Sequence, residues 1–343
     1  MRILVTGASG FLASHLIRAL QKRGHAVSAL VLPSSDTTLL GQAGAEIHTG
    51  DVRLPDTLTG AMREVDAVFH LAAAIGVRRP LREYHAVNVT GTENVCRAAQ
   101  TADVKRLVHV SSTSVYEQGL GVPLDETAAL APPPDPYALT KAAGDRLVQR
   151  LIAEEQLPAS IVRTTTIFGP GDELNFGRIA HRLLAGTSIV IGSGSNRVPV
   201  ASVDDVVQGL LLVLEHEAAG EIYNITDDRC PTQAELLREI ADQLGARMPR
   251  IHVPYGLVYG TAYLAERLAQ ATRSEHAAVT RFGVLLYGAD NRFSIDKARH
   301  GLGYEPRVSL QQLVSATAEW YRGRTATLES SGYPAAPPTG AAS

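Results

Sequence analysis

The sequence predicts an α/β fold, a doubly wound parallel sheet with a smaller, interleaved C-terminal lobe, and three observations predict it. The first half alternates short β-branched apolar runs with amphipathic stretches, the rhythm of parallel strands joined by crossover helices. A glycine pair, Gly7 and Gly10, stands between the first apolar run and the first amphipathic stretch. After Gly169 the rhythm breaks at the turn-rich "FGPGDEL", and the later elements become shorter and less regular.

Taken in order, the predicted strands are "RILVTG" (2–7), "AVSALVL" (26–32), "EIHTGD" (46–51), "AVFHLAA" (67–73), "RLVHVSS" (106–112) and "ASIVRTT" (159–165). Helical patterns fall between them at 11–23, 54–63, 86–101 and 136–155. The last begins with an N-cap, Asp135, and a proline at its first position, and Leu139, Leu147 and Leu151 mark a buried stripe. The first domain is expected over 1–168, with 198–217 returning to it, and the lobe over 169–197 and 218–322. Small residues and proline from Gly323 onward offer little to bury and predict a disordered tail over 323–343.

Composition bounds the function. At 343 residues the chain can bury a core without disulfide staples. Charged residues make up 20% and leave a formal net charge of -3, so no electrostatic footprint points to nucleic acid. The expected partner is a small molecule. Cys96 and Cys230 form no metal spacing and the histidines show no H-x-x-x-H pair, so no metal site is predicted. The apolar run after Arg2 is broken at Thr6–Gly10, too early for a signal peptide, and no apolar stretch reaches a membrane-spanning length. A reduced, cytoplasmic setting is the expectation.

The chemistry starts at "VTGASGFLASHL". Gly7 permits a tight turn, Gly10 lets the backbone approach a pyrophosphate, and the following helix N-terminus offers unpaired amides to the anion. Ala13 occupies the third, helix-packing glycine position and is small enough to serve. Asp51, in "TGDVRLPD", is placed to accept from an adenine amine with the Val52 amide beside it; an aspartate there also suits a turn cap. At the end of the second strand, where an acid marks NAD and an arginine NADP, stand Val31 and Leu32. The missing cation favours NAD over NADP, although Ser34, Ser35 or Asp36 could reverse that choice.

"DPYALTK" places Tyr137 and Lys141 four residues apart on one helix face. Moving a phenol's pKa from about 10 to 7 takes about 4 kcal/mol, part of which a nearby ammonium can supply. With eleven tyrosines and four lysines, this spacing arises by chance about 0.1 times, yet a pair of surface residues is also compatible with it. Ser112 adds weight: the strand 106–112 ends in hydroxyls at the C-terminal sheet edge, where ligands bind.

With these pieces, and "GDVRLPDTL", "VFHLAAA", "NVTGTENVCRAA", "VSSTSVYE", "FGPGD", "VDDVVQGL", "GEIYNITDD" and "DKARHGLGYEPRVSL" in order, residues 1–322 resemble the extended short-chain dehydrogenase/reductases, the NAD-dependent epimerase/dehydratase family, on a Rossmann sheet. The resemblance implies that Tyr137 is the catalytic acid/base, that Lys141 binds the nicotinamide ribose and tunes Tyr137, and that Ser112 orients the reacting oxygen. Asn88 resembles the asparagine that orders such sites, or else caps its helix. The resemblance also implies dinucleotide contacts at Ser9, Phe11, Leu12, Leu32, Leu71, Ala72, Ala73, Ser111, Thr164, Thr166 and Ile167, beside Gly7, Gly10, Asp51, Val52, Asn88, Tyr137 and Lys141. It further implies a homodimer through the helices at 86–101 and 136–155.

The branch is indicated by departures. Nucleotide-sugar enzymes of the family carry an asparagine where Thr166 stands, an arginine where Val198 follows Arg197, and a diphosphate-binding segment with no counterpart here. Thr113 and Ser114 replace the dehydratase acid pair. The stretch "IHVPYGLVYGTAYLAERLAQATRSEHAAVTRFGVLLYG" looks instead like the 3β-hydroxysteroid dehydrogenase-like branch. Its apolar helix suits a hydrophobic alcohol or ketone, while Leu257, Tyr259, Tyr263 and Leu264 equally suit lobe packing or a partner; membrane-surface attachment is disfavoured because Glu266 and Arg267 make no basic face. The expected function is hydride transfer between a nicotinamide and a secondary alcohol or ketone. The alternatives are a redox-neutral nucleotide-sugar epimerase or dehydratase and a non-catalytic dinucleotide-binding module.

Overall fold

The structure, a computed structural model, describes residues 1–76, 79–216, 218–272 and 279–330. Seven parallel strands form the central sheet in the order Ile222–Ile225, Ala159–Thr164, Arg106–Ser112, Ala67–His70, Arg2–Thr6, Ala26–Val31, Glu46–Thr49. Six are the expected strands; Arg106–Ser112 keeps its expected bounds and the other five are trimmed at their C-terminal ends where the chain turns into loops. The seventh, Ile222–Ile225, joins beyond Ala159–Thr164. Its four residues are interrupted by Asn224, which conceals the apolar run.

Two apolar layers sandwich the sheet. On one face Leu16, Ile17 and Leu20 of the Phe11–Lys22 helix pack with Val206, Leu210 and Leu214 of the Val203–Glu215 helix. On the other, Val95 and Cys96 meet Leu147, Val148 and Leu151 of the Pro136–Glu155 helix, whereas Leu139, expected in the same buried stripe, is 40% exposed. At about 25 cal/mol per Å² of apolar area removed from water, these faces are what hold the helices to the sheet.

Two helical expectations change. The stretch 54–63 is a 3-10 turn at Pro55–Thr57 followed by turns, because the Thr57 hydroxyl folds back to the Asp51 and Leu54 carbonyls at 2.9 and 2.7 Å. Leu58 and Met62 still plug the core, so the spacing was real while the helix was not. The stretch 86–101 begins earlier, as a helix at Leu81–His85, then widens to a π-turn at Ala86–Gly91 before resuming as an α-helix at Thr92–Thr101. Asn88 lies inside the π-turn and caps nothing. Such single π-turns recur at functional sites.

The chain after Gly169 builds short parallel pairs: Thr166–Phe168 with Val200–Ser202, Val190–Ile191 with His252–Val253, and Pro123–Leu124 with Arg292–Phe293. Phe168, Phe176, Leu236, Ile240 and Val314 form a separate core there. The final helix, Leu310–Ser330, runs past Gly323, where the composition alone pointed to disorder, and residues 331–343 lie outside the described ones. Among the described residues no helix is long and apolar enough to cross a membrane, and no group of His, Cys, Asp and Glu is placed to hold a metal.

Candidate active site

The Arg2–Thr6 strand delivers the chain into a turn that only glycine fits. Gly7 has φ +66°, and a Cβ there would stand 2.7 Å from the Ala72 Cα. The Gly10 amide donates to the Gly7 carbonyl at 3.0 Å, closing the loop. Gly10 caps the Phe11–Lys22 helix with no side-chain hydrogen bond, and the first turn holds no acidic residue. The amides at Phe11 and Leu12 therefore face the loop without a capping side chain, which is the donor set a pyrophosphate needs. Ala13 is buried where that helix meets the sheet. The Ser9 hydroxyl reaches Ser35 at 3.3 Å, bringing the loop after the second strand against the glycine turn.

The adenosine end is less open than the spacing implied. Arg53 engages both Asp51 carboxylate oxygens, with Nε at 3.0 and 2.9 Å, and holds that carboxyl below its ordinary range. Asp51 thus offers an adenine amine only the acceptor capacity that Arg53 leaves. Val52 is buried, and its carbonyl accepts from Asn94 at 2.8 Å. Asp36 is used locally, accepting from the Thr38 amide and hydroxyl at 2.9 and 2.6 Å. Leu32 is half-buried and its carbonyl accepts from the Ser35 amide.

Asp135 caps the Pro136–Glu155 helix by accepting from the Tyr137 and Ala138 amides at 2.9 and 3.2 Å, fixing where Tyr137 emerges. The Tyr137 phenol lies beside Ser112, at the end of the Arg106–Ser112 strand. Burial pushes it up to about 12, the neighbouring Ser112 hydroxyl opposes this, and the nearby Asp135 and Tyr84 add to the rise. Phe282 lies over it at 6.1 Å between ring centroids. One turn along, Lys141 is buried and donates to the Val110 carbonyl at 2.7 Å. Burial pulls its ammonium down to about 8 against the Asp145 carboxylate, which holds it up. In this arrangement Lys141 is committed to the strand and Ser112 alone draws the phenol toward ionisation.

Asn88 ties the parts together. Its Oδ1 accepts from the Ala74 amide at 2.7 Å, and its Nδ2 donates to the Ala74 carbonyl at 3.2 Å and to Thr140 Oγ1 at 3.0 Å. The Thr140 hydroxyl in turn donates to the Pro136 carbonyl at 2.7 Å, in the first turn of the Tyr137 helix. The Asn88 carbonyl presses on that helix at Gly144, where a Cβ would come within 2.4 Å of it.

Other expected contacts are placed differently. The Ser111 hydroxyl donates to Asp145 at 2.6 Å, so it points into the protein. The strand alternation explains this, since neighbours Ser111 and Ser112 face opposite sides. Thr164 pairs in register with Ser112 and is buried. Thr166 and Ile167 are half-buried in the next short strand, Ile167 packing on the first core. Leu71, Ala72 and Ala73 are half-buried beside the glycine turn, with the Ala72 amide donating to Thr6 Oγ1 at 3.3 Å. Arg197 donates to the Cys230 carbonyl at 2.9 Å, and its neighbour Val198 is buried in the lobe core. On the Tyr255–Ala271 helix, Leu257 and Leu264 face outward, Tyr259 packs with Val258 and Val284, and Tyr263 lies between Arg267 and Arg281. Phe282, from the next helix, supplies the apolar surface over Tyr137 that Leu257 and Leu264 do not.

A buried ion pair went unread in the sequence. Arg163 grips Asp145 through Nε and Nη2 at 2.9 and 2.8 Å, with both side chains at most 1% exposed. Arg163 Nη1 also donates to Tyr116 Oη at 2.7 Å, and Tyr116 donates to Asn224 at 2.9 Å. Breaking such a pair by removing one partner costs about 3–5 kcal/mol. The available signal was Arg163 itself, a cation inside an otherwise apolar strand.

A glycine turn feeding a helix start with no capping side chain on a doubly wound sheet, with Ser112 at a strand end and Tyr137 and Lys141 on the helix beside it, defines a nicotinamide-dependent enzyme of the short-chain dehydrogenase/reductase class. Residues 3–226 match the NAD dependent epimerase/dehydratase family, and the chain belongs to it. A 2-alkyl-3-oxoalkanoate reductase of Stenotrophomonas maltophilia is 33% identical over 91% of this chain and 97% of its own length. A 3β-hydroxysteroid dehydrogenase/Δ5→4-isomerase of Mycobacterium tuberculosis is 32% identical over 93% of this chain and 90% of its own. The solved structure of gox2253 superposes with TM-score 0.79 at 31% identity, covering 94% of this chain and 98% of that one. The dTDP-glucose 4,6-dehydratase DesIV of Streptomyces venezuelae, solved with NAD, superposes with TM-score 0.77 at 28% identity, covering 95% and 98%. The protein is an enzyme with a redox role, and NAD is its family's cofactor.

Proposed function

We propose that the chain transfers hydride between NAD and a secondary alcohol or ketone carried on a largely apolar substrate, with Tyr137 as the acid/base. One observation carries this reading: the Tyr137 phenol, beside Ser112 at the C-terminal sheet edge, packs against the Phe282 ring. NAD supplies the hydride donor or acceptor. Ser112 donates to the reacting oxygen, Tyr137 exchanges a proton with it, Lys141 holds the ribose side of the site, and Asn88 fixes the Tyr137 helix. A phenol pushed up to about 12 is protonated at neutral pH, the form that reduction uses: hydride to the carbonyl carbon, the Tyr137 proton to its oxygen. A 2-alkyl-3-oxoalkanoate reductase and a 3β-hydroxysteroid dehydrogenase among the relatives are in keeping with this reading.

The 169–197 and 218–322 segments would form the substrate lobe around the Phe282 face, and the helices at 86–101 and 136–155 a homodimer contact, which monomeric light scattering would refute. Thr113 and Ser114, both buried, leave no acid pair for dehydratase chemistry. The reading is tested with a ketone panel and NADH. Net NADH oxidation, lost in Tyr137→Phe with NAD binding retained, supports it. Sugar interconversion with no net change in NADH absorbance would overturn it in favour of the redox-neutral chemistry, and NAD binding without any turnover in favour of a binding module.

A further inference from the structure

His70 ends the Ala67–His70 strand directly beneath the site, and its side chain is fully buried. Its Nδ1 lies 2.8 Å from Thr6 Oγ1 and its Nε2 3.0 Å from Thr92 Oγ1. The directions of these bonds follow from their neighbours. Thr92 Oγ1 lies 2.9 Å from the Asn88 carbonyl, which can only accept, so the hydroxyl proton is spent there. Thr92 must then accept from His70, which places the imidazole proton on Nε2. Burial and the Lys141 charge drive the ring's pKa down to about 3, so it is neutral and its Nδ1 is bare. Nδ1 accepts the Thr6 hydroxyl proton, and the Thr6 oxygen accepts the Ala72 amide at 3.3 Å.

One directed chain results, from the Ala72 amide through Thr6, His70 and Thr92 to the Asn88 carbonyl. Its ends are functional. Ala72 is the backbone on which Gly7 rests, and the Asn88 carbonyl is the atom seated against Gly144 of the Tyr137 helix. His109, 5.4 Å from His70 between ring centroids, has neither ring nitrogen hydrogen-bonded and so offers the chain no competing partner.

We infer that His70 is a positioning residue that sets the glycine turn and the Asn88 π-turn relative to each other, coupling the dinucleotide's seat to the seat of Tyr137. The inference rests on the glycine turn being where NAD binds. No proton moves along the chain in the reaction; a fixed tautomer holds two backbone segments in register.

Cross-effects test it. Thr92→Val is isosteric and lies on the Asn88 side; Thr6→Val lies on the glycine-turn side. By calorimetry on the whole chain, Thr92→Val is expected to weaken NAD binding about fivefold, and Thr6→Val to lower kcat about fivefold with saturating NAD. The double variant should cost little more than either single change, because one broken link already uncouples the ends. The His70 ring, followed by imidazole nitrogen NMR, should show the Nε2–H tautomer unchanged from pH 5 to 9. An NAD dissociation constant within twofold of wild type in Thr92→Val, additive losses in the double variant, or a titrating or Nδ1–H ring would each overturn it. Ser9→Glu, which puts a carboxylate in the glycine turn, separates the two claims. If it leaves NAD binding intact, the seat is elsewhere and the coupling falls with it; if it abolishes binding while Thr92→Val has no effect, the seat stands and only the coupling fails.

Discussion

Gly7 and Gly186 have the same backbone conformation, φ +66° in each, and opposite surroundings. A Cβ on Gly7 would strike the backbone of Ala72, whereas one on Gly186, in the C-terminal lobe, would meet nothing within 4 Å. The contrast extends to the regions they belong to. In the sheet half, backbone packs on backbone, at Gly7 on Ala72 and at Gly144 on Asn88, and polar side chains such as His70, Asn88 and Asp145 are fully engaged. In the lobe, strands shrink to two or three residues and leucines such as Leu257 and Leu264 face outward. Chemistry that must recur unchanged needs the first kind of surroundings. Choice of substrate tolerates the second.

The largest expected effect lies at the centre of the rigid half. Tyr137→Phe removes the hydroxyl that the proposed mechanism uses as proton donor and keeps the ring against Phe282. A drop in kcat of about a thousandfold is expected, with NAD affinity unchanged by calorimetry. Wild-type turnover in this variant would falsify the assignment of Tyr137.

Gly7→Ala and Gly186→Ala test the comparison directly. At Gly186 the cost is the left-handed conformation alone, about 1 kcal/mol. At Gly7 the clash with Ala72 adds to that, for about 3 kcal/mol in all by denaturant unfolding, and NAD binding should be lost. Equal costs at the two sites would mean that the glycine turn is no tighter than a lobe turn.

Lys141 lets function and stability be separated. Its ammonium is pulled from 10.5 to about 8 by burial, which amounts to roughly 3 kcal/mol of destabilisation, partly offset by the Val110 carbonyl. Between pH 8 and 10 the unfolded chain binds more protons than the folded one, so stability rises with pH across that window and the penalty applies in full below it. Lys141→Met should abolish activity, raise stability at pH 7 and flatten the rise from pH 8 to 10. Chemical denaturation at stepped pH checks this, and a steeper rise in the variant would contradict it.

How much of this was legible in sequence follows the same division. The strand and helix rhythm, the glycine turn and the Ser112, Tyr137, Lys141 set are local patterns with fixed spacing, and the structure brings the last three to one sheet edge. Asp145 was hidden because in "AAGDRLVQ" it reads as a surface acid beside Arg146, and only the partner 18 residues on, Arg163, makes it a buried one. The inward turn of the Ser111 hydroxyl was hidden too, because a run of two hydroxyls does not show which one faces in. The short lobe pairs, such as Pro123–Leu124 with Arg292–Phe293, join segments too far apart for any window to connect.

Phe282 gives the smallest expected effect and bears most on the lobe. It touches Tyr137 by ring contact alone and belongs to the Arg281–Gly288 helix, which is tied to the Tyr255–Ala271 helix where Arg281 donates through its backbone amide and Nε to Glu266 at 2.8 and 2.7 Å. Phe282→Ala enlarges the space beside the phenol without altering the glycine turn, Ser112 or Lys141. Stability and NAD affinity should stay near wild type, while the ratio of kcat/KM for a bulky over a small ketone rises about tenfold, the size of effect expected from reshaping an apolar pocket. A uniform loss across the ketone panel would place Phe282 with the rigid machinery, and the line between the two regions would have to be redrawn to include the Arg281–Gly288 helix.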